Sequence, residues 1–242
     1  EFLDHAAFFV VDLSDVPRDL AFERSRASNG AEGIAPRTDP QRDAQRKVIS
    51  EPVPPEIHGG IAARDEYVQR VPVQFDKEKR AAGYQFYSAE ALLLYGHFNE
   101  ARPRFEQLWK EHCGKDELGY EAWKRLIRMS NMENDTDRSH ELAKAEKAHS
   151  CAVNEGQKSD AGKIVDPTIT NIAFIKARAE FEAAEKMPPG PERDARWRKA
   201  AEMYEAALKV APGHDDAPEA AMNAAYAYKQ IGQIGKAIEL YH

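Results

Sequence analysis

Five oxygen-bearing side chains carry the most chemically suggestive spacing in the chain. Asp135, Asp137, Ser139, Glu141 and Glu146 fall at positions 1, 3, 5, 7 and 12 of a twelve-residue calcium-binding loop, with Glu146 where a bidentate Glu belongs. The sixth position of such a loop needs glycine for its sharp turn, and His140 stands there. The same residues fit a polar turn between two helices. Asp137 or Ser139 would then be the N-cap, with Glu141 near the first turn, where the helix dipole favours negative charge. The capped turn is the expectation, and no metal site is assigned.

Cys113 and Cys151, with His112 and His149 close by, invite a zinc reading. Adjacent residues, or residues two apart, leave a helix on different faces and cannot both reach one ion easily. Two cysteines are also too few for a disulfide-stapled fold. Two free thiols are expected, with a disulfide and a zinc site as the alternatives. Gly213-His214-Asp215-Asp216 could make a metal or acid–base pair, yet it lies between a helix-stopping Pro212 and a capping sequence, and reads as a connecting loop. His97, directly after Gly96, is expected exposed in a turn. Tyr84, Phe86 and Tyr87 read as core rather than a cofactor stripe. No G-x-x-x-x-G-K-[ST], G-x-S-x-G or H-E-x-x-H is present. No catalytic residue and no cofactor are assigned, and the expectation is that the chain is not an enzyme.

The elements that must carry these residues are helices. At the C-terminal end Ala221, Ala224, Ala225 and Tyr228 recur at the spacing of a helix face, Gly232 breaks the pattern, and Ala237 and Tyr241 resume it. Asp216, Pro218 and Glu219 mark the start as a capping box. Upstream, Ala200, Tyr204 and Ala207 lead to Pro212, preceded by a helix over Ile169–Lys186 with Ile172, Phe174, Ile175, Ala177 and Phe181 apolar. The connector between them is expected at Met187–Asp194. Ala89 and Leu92 precede Gly96 by the offsets at which Ala225 and Tyr228 precede Gly232, and Ala101, Phe105 and Leu108 follow. A weaker copy has Trp123, Leu126 and Ile127, a polar turn at Glu133–Arg138, and a second helix at Leu142–Cys151.

These offsets resemble the tetratricopeptide repeat (TPR) family over roughly residues 80–242, with the family's opening Trp replaced by Gln85 and Ala221. The resemblance implies an all-α fold, a TPR-like α-solenoid of antiparallel helix hairpins. The expected organisation is a helical and loop segment at 1–79, containing a cryptic or partial repeat, a repeat pair at 80–152, a polar loop at 153–168, and a second pair at 169–242 cut short at the C-terminus. Within 1–79, Glu1–Val11 and Val16–Ser25 read as short helices, Asn29–Pro40 as a loop, Val48–Pro55 as extended, and Ile57–Val71 as helical after Gly60 until Pro72 ends it.

The family lines a concave groove with the first helix of each hairpin. Carried over position by position, the groove residues are Phe86, Glu90 and Leu93, with Gly83 and Leu94, in one repeat. In another they are Glu219, Met222, Tyr226 and Lys229, with Gln230. The family's carboxylate-clamping Lys and Asn are replaced by Met222 and Tyr226, so a mixed apolar and acidic contact with proteins or peptides is expected instead.

The net charge of −7, from 34 basic and 41 acidic residues, opposes nucleic-acid binding. No apolar run approaches the length of a membrane span. The expected role is a scaffold or adaptor in a multiprotein assembly, with a regulatory TPR module of a larger enzyme or signalling protein as the alternative. No leader is visible before Glu1, and the chain reads as a piece of a longer protein. Its degenerate repeats with Pro-containing inserts are similar in style to large bacterial envelope TPR proteins, such as those of myxobacterial gliding motility. That similarity favours the periplasm.

Overall fold

A computed structural model describes residues 37–76 and 79–241, and among these every regular element is an α-helix. They are α1 Pro55–Arg70, α2 Arg80–Leu94, α3 Phe98–His112, α4 Glu117–Met132, α5 Thr136–Ala148, α6 Glu155–Glu185, α7 Pro191–Val210, α8 Ala217–Gln230 and α9 Ile234–Tyr241. Among the first five helices each packs against the next, and so do α7 with α8 and α8 with α9. The chain divides into two compact units between Ala161 and Gly162, inside α6. The two short helices expected at 1–25 and most of the loop at 29–40 lie outside the described residues.

One backbone device recurs in three helix pairs. Gly96 between α2 and α3, Asn134 between α4 and α5, and Gly232 between α8 and α9 are all left-handed, with φ of 78°, 58° and 74°. In each case the next residue sends its N–H five residues back, His97 to Leu92, Asp135 to Ser130 and Gln233 to Tyr228, all at 2.9 Å. This Schellman closure caps the first helix and reverses the chain within a few residues. Five residues beyond each turn stands a small buried residue, Ala101, Ser139 or Ala237, and seven before it stands buried Ala89, Ile127 or Ala225. The smallest of these side chains let paired helices approach closely.

In the first unit, α1 docks on α2 through Asp76. Its oxygens accept the N–H groups of Arg80 at 2.8 Å and Ala81 at 2.9 Å, and the Tyr67 hydroxyl at 3.1 Å. This caps α2, whose own N-cap residue Lys79 offers no side-chain bond. Arg104 of α3 reaches back to Asp65 of α1 with two parallel bonds of 2.5 and 2.7 Å. Trp123 donates its indole N–H to the Leu142 carbonyl at 2.9 Å, joining α4 to α5 over a core of Tyr120, Leu126 and Leu142.

The corner from α3 to α4 is tight. A Cβ on Gly119 would lie 2.4 Å from the His112 carbonyl carbon and 2.5 Å from the Cys113 nitrogen. This close approach sets Cys113 opposite Cys151, and the two form a disulfide with Cα atoms 4.4 Å apart. The expectation of two free thiols is therefore corrected. Turn geometry at both ends of the α4–α5 pair, invisible in a spacing of 38 residues, brings the sulfurs together. Closing a loop of that length restrains the unfolded chain by about 4 kcal/mol on the chain-entropy account.

The polar stretch expected as a loop at 153–168 is helical from Glu155, and α6 continues through Pro167. Asn154 caps its start by accepting the Gln157 N–H at 2.9 Å. Asp160 accepts from the Tyr120 hydroxyl and the Lys124 ammonium of α4, each at 3.0 Å. Tertiary contacts thus override weak local propensity. α7 also starts earlier than expected, at Pro191 inside the expected connector, because Pro suits the first helical turn. α1 likewise begins at Pro55 and includes Gly60.

In the second unit Phe174, Phe181, Trp197, Tyr204 and Tyr228 fill the space between alanines of α6, α7 and α8. Ile175, expected among the apolar core positions of α6, is instead 46% exposed.

Two substitutions probe this packing. Ala225→Trp inserts a large ring at a site of 0% exposure, and loss of cooperative unfolding of the second unit is expected in calorimetry. Gly119→Ala would ordinarily stabilise a helix by up to about 1 kcal/mol. Here backbone contact reverses the sign, and chemical denaturation should show a loss of about 1–2 kcal/mol.

Candidate interaction surface

The seven residues assigned to a groove separate into two groups. Phe86, Glu90 and Leu93 of α2 are buried, with Leu93 at 0% exposure. Helix α4 covers this face. Arg125 donates to Glu90 Oε1 from Nη2 at 2.7 Å and from Nε at 3.2 Å, and lies 5.4 Å over the Phe86 ring. Glu121 holds the guanidinium from its other side at 3.0 Å. Phe86 also meets Phe105 edge to face at 5.5 Å. These three residues hold α2, α3 and α4 together and present no open surface, which corrects their assignment to a groove. The spacing of four between Glu121 and Arg125 marks an ion pair in the sequence, but not the reach of Arg125 to Glu90 on another helix.

Glu219, Met222, Tyr226 and Lys229 of α8 are exposed and share one helix face, as their spacing of three and four requires. Met222 is 62% exposed and Tyr226 41%. Tyr226 is fixed at its inner edge, with its ring 5.8 Å from Phe181 of α6 and 5.7 Å from Trp197 of α7. Arg178 of α6 reaches Glu219 at 3.2 Å and Asp216 at 3.9 Å. The result is a half-exposed aromatic on a rigid aromatic support, next to a flexible thioether, bordered by a paired Arg–Glu and by Lys229. Such a surface offers apolar contact area at low ordering cost, with charge at its edge to fix register. Phe181 was read from the sequence only as an apolar position of its helix, and Trp197 was not singled out; their support of Tyr226 depends on three helices meeting.

The remaining candidates are structural. Asp135, not Asp137 or Ser139, is the N-cap of α5, accepting the Arg138 N–H at 2.9 Å. Glu146 is buried and accepts the Cys151 N–H at 3.1 and 3.0 Å and the Ser150 hydroxyl at 2.7 Å. Position 12 of the supposed calcium loop is thus committed to the segment after α5. Among the described residues no group of three or more His, Cys, Asp or Glu side chains is placed to hold a metal ion. Asp216 makes no capping bond, because its carboxylate and that of Glu219 both turn to Arg178. His214 stacks on Phe174 at 4.5 Å, accepts the Asp216 N–H at Nδ1 and donates from Nε2 to Asn171. That bonding assigns its tautomer and fixes the loop.

His97, expected exposed, is half-buried and donates from Nε2 to the Glu51 carbonyl at 2.8 Å. It holds a strap, residues 37–54, against the turn between α2 and α3. Glu51 donates its N–H to the Tyr95 carbonyl at 2.9 Å and pairs with Arg37, whose guanidinium lies 4.3 Å over the Tyr95 ring. Arg128 of α4 binds the Thr38 carbonyl and Asp39. The extended stretch expected at 48–55 is found here, with α1 beginning at its last residue. A cavity of about 440 Å³ lies among Gln45, Lys47 and Val48 of the strap and Phe98, Met132 and Glu133.

The Tyr120 and Tyr228 hydroxyls are donors held in their neutral form. Burial, and then the bond to Asp160, pushes the Tyr120 hydroxyl well above the usual tyrosine range. Burial and Glu205 do the same for Tyr228. Lys199 at 2.6 Å and Arg196 at 2.9 Å, both from α7, hold the Glu180 carboxyl of α6 below its ordinary range, the hydrogen bond from Lys199 first. No transmembrane-length apolar helix occurs among the described residues.

No family model, curated protein or solved structure matches this chain.

The depressed Glu180 carboxyl contributes stability that is complete above its unfolded value of about 4.3 and is lost as pH falls through the lower folded value. Its partners are largely exposed, so the contribution is below about 1 kcal/mol. Glu180→Gln should lower the denaturant midpoint at pH 7 and flatten its decline between about pH 5 and pH 3, relative to the parent.

Proposed function

We propose that this chain is a TPR-like α-solenoid scaffold that holds segments of other proteins within a multiprotein assembly. The observation that carries this reading is the shared turn of the three helix pairs, α2–α3, α4–α5 and α8–α9. Each has a left-handed residue, a bond five residues back, and a small buried residue five residues on. A unit repeated in this way is what stacked helical-repeat proteins use to build extended protein-binding surfaces. The exposed face of Glu219, Met222, Tyr226 and Lys229 is the part of the expected groove that remains available.

The setting we favour is an oxidising one, of which the bacterial envelope is the proposed instance. A disulfide that closes around one helix pair persists outside the reducing cytosol. An adaptor role suits the composition of the α8 face, where Met and Tyr supply adaptable contact and no catalytic constellation is invoked.

The test compares affinity capture by the full chain with capture by a Met222→Asp, Tyr226→Ala variant that keeps the parent's melting curve. Partners identified by mass spectrometry should weaken at least tenfold, about 1.4 kcal/mol, in the variant. Equal capture by both proteins removes the α8 face from the proposal. A specific small-molecule turnover without partners overturns the scaffold reading.

A further inference from the structure

The disulfide is asymmetric in its surroundings, and the asymmetry carries chemistry. Cys151 is fully buried, at 0% exposure, whereas Cys113 sits partly open at the corner between α3 and α4. The Trp109 indole N–H points at Cys151 Sγ from 3.1 Å. Independently of the sulfurs, both oxygens of buried Glu146 hold the Cys151 backbone N–H, and one also holds the Ser150 hydroxyl. Close packing of Gly119 on the His112–Cys113 backbone fixes the other partner.

We propose that Cys113–Cys151 is a reversible redox couple entered at Cys113, with Glu146 and Trp109 as positioning residues that keep the pair poised to reclose without unfolding. The chemistry is exchange with a low-molecular-weight thiol such as glutathione. A thiolate attacks Cys113 Sγ in line with the disulfide. A new S–S bond forms there, the Cys113–Cys151 bond breaks, and its electron pair leaves on Cys151 Sγ. The leaving sulfur is stabilised by the Trp109 N–H and takes a proton from water. A second thiolate attacks the outer sulfur of the mixed disulfide, releasing Cys113 as thiolate and glutathione disulfide as the oxidised product. Two electrons pass from two thiols to the protein, and closure runs the same steps backwards. Attack at Cys151 is blocked by burial. After reduction the Glu146 clamp still places Cys151 opposite Cys113, so the pair faces itself at high effective concentration.

The couple is tested on the full chain by equilibration in glutathione buffers, followed by acid quench and mass mapping. The mixed disulfide should be found on Cys113, and after full reduction iodoacetamide should modify Cys113 at least tenfold faster than Cys151, with helical circular dichroism retained. Glu146→Ala should lower the effective concentration of the pair at least tenfold, and Glu146→Gln, which keeps one acceptor oxygen, by less. Trp109 emission should rise on reduction as the quenching disulfide contact is lost. Equal modification rates, a mixed disulfide on Cys151, or loss of helix on reduction would each overturn the proposal. So would an unchanged closing equilibrium in Glu146→Ala. The modification order is read on the unsubstituted protein and stands even if a variant fails to fold.

Discussion

A residue held in the left-handed conformation, followed by one hydrogen bond spanning five residues, is the constraint on which this structure rests. At Gly96, Asn134 and Gly232 it ends one helix and starts the next within a few residues. So short a reversal leaves the two helices no freedom but to lie antiparallel in contact. The residue five positions on must then sit at their crossing, which is why Ala101, Ser139 and Ala237 are small and buried. At Gly96 the constraint is doubled, since a Cβ would lie 2.2 Å from the Ile49 carbonyl oxygen of the strap. Asn134 serves at the second turn because asparagine tolerates this conformation better than other side chains do.

The same local plan supports two different uses of the helix that precedes the turn. In the first unit, the face of α2 is closed by Arg125, clamped between Glu90 and Glu121 and laid over Phe86. A buried charge of this kind is tolerable only when fully bonded, and it adds directionality more than net stability. In the second unit the corresponding face of α8 carries Met222 and Tyr226, and no described residue of that unit closes over them. One arrangement fixes a neighbouring helix; the other leaves contact area open, supported from behind by Phe181 and Trp197.

How much of this was legible in the sequence follows from the range of the forces involved. Ala89, Gly96 and Ala101, or Ala225, Gly232 and Ala237, are local: helix period and turn stereochemistry act within a dozen residues, so the spacing discloses the helix pair. The start of α6 was not legible. Gly156, Ser159 and Asp160 form poor helix by themselves, and Asp160 is held by Tyr120 and Lys124, some 40 residues away. The disulfide was missed for the same reason, since its partners are adjacent only once two corners have folded. For the candidate surface, family position alone placed all seven residues. The covering of Glu90 and Phe86 depends on one long side chain, Arg125, whose reach no periodicity records.

The disulfide has a mechanical consequence for a protein proposed to work inside an assembly. It joins Cys113 to Cys151 and so encloses α4 and α5 within a covalent ring. A pull transmitted along the chain passes through the sulfur bridge and bypasses that helix pair. The roughly 130 Å of contour length that 38 extended residues would release stays locked away while the bridge is closed. With the bridge open, the same stretch becomes slack that tension can draw out. The oxidation state of two sulfurs then sets how far the chain can lengthen under load, which makes the α4–α5 pair a stop in one state and a spring in the other.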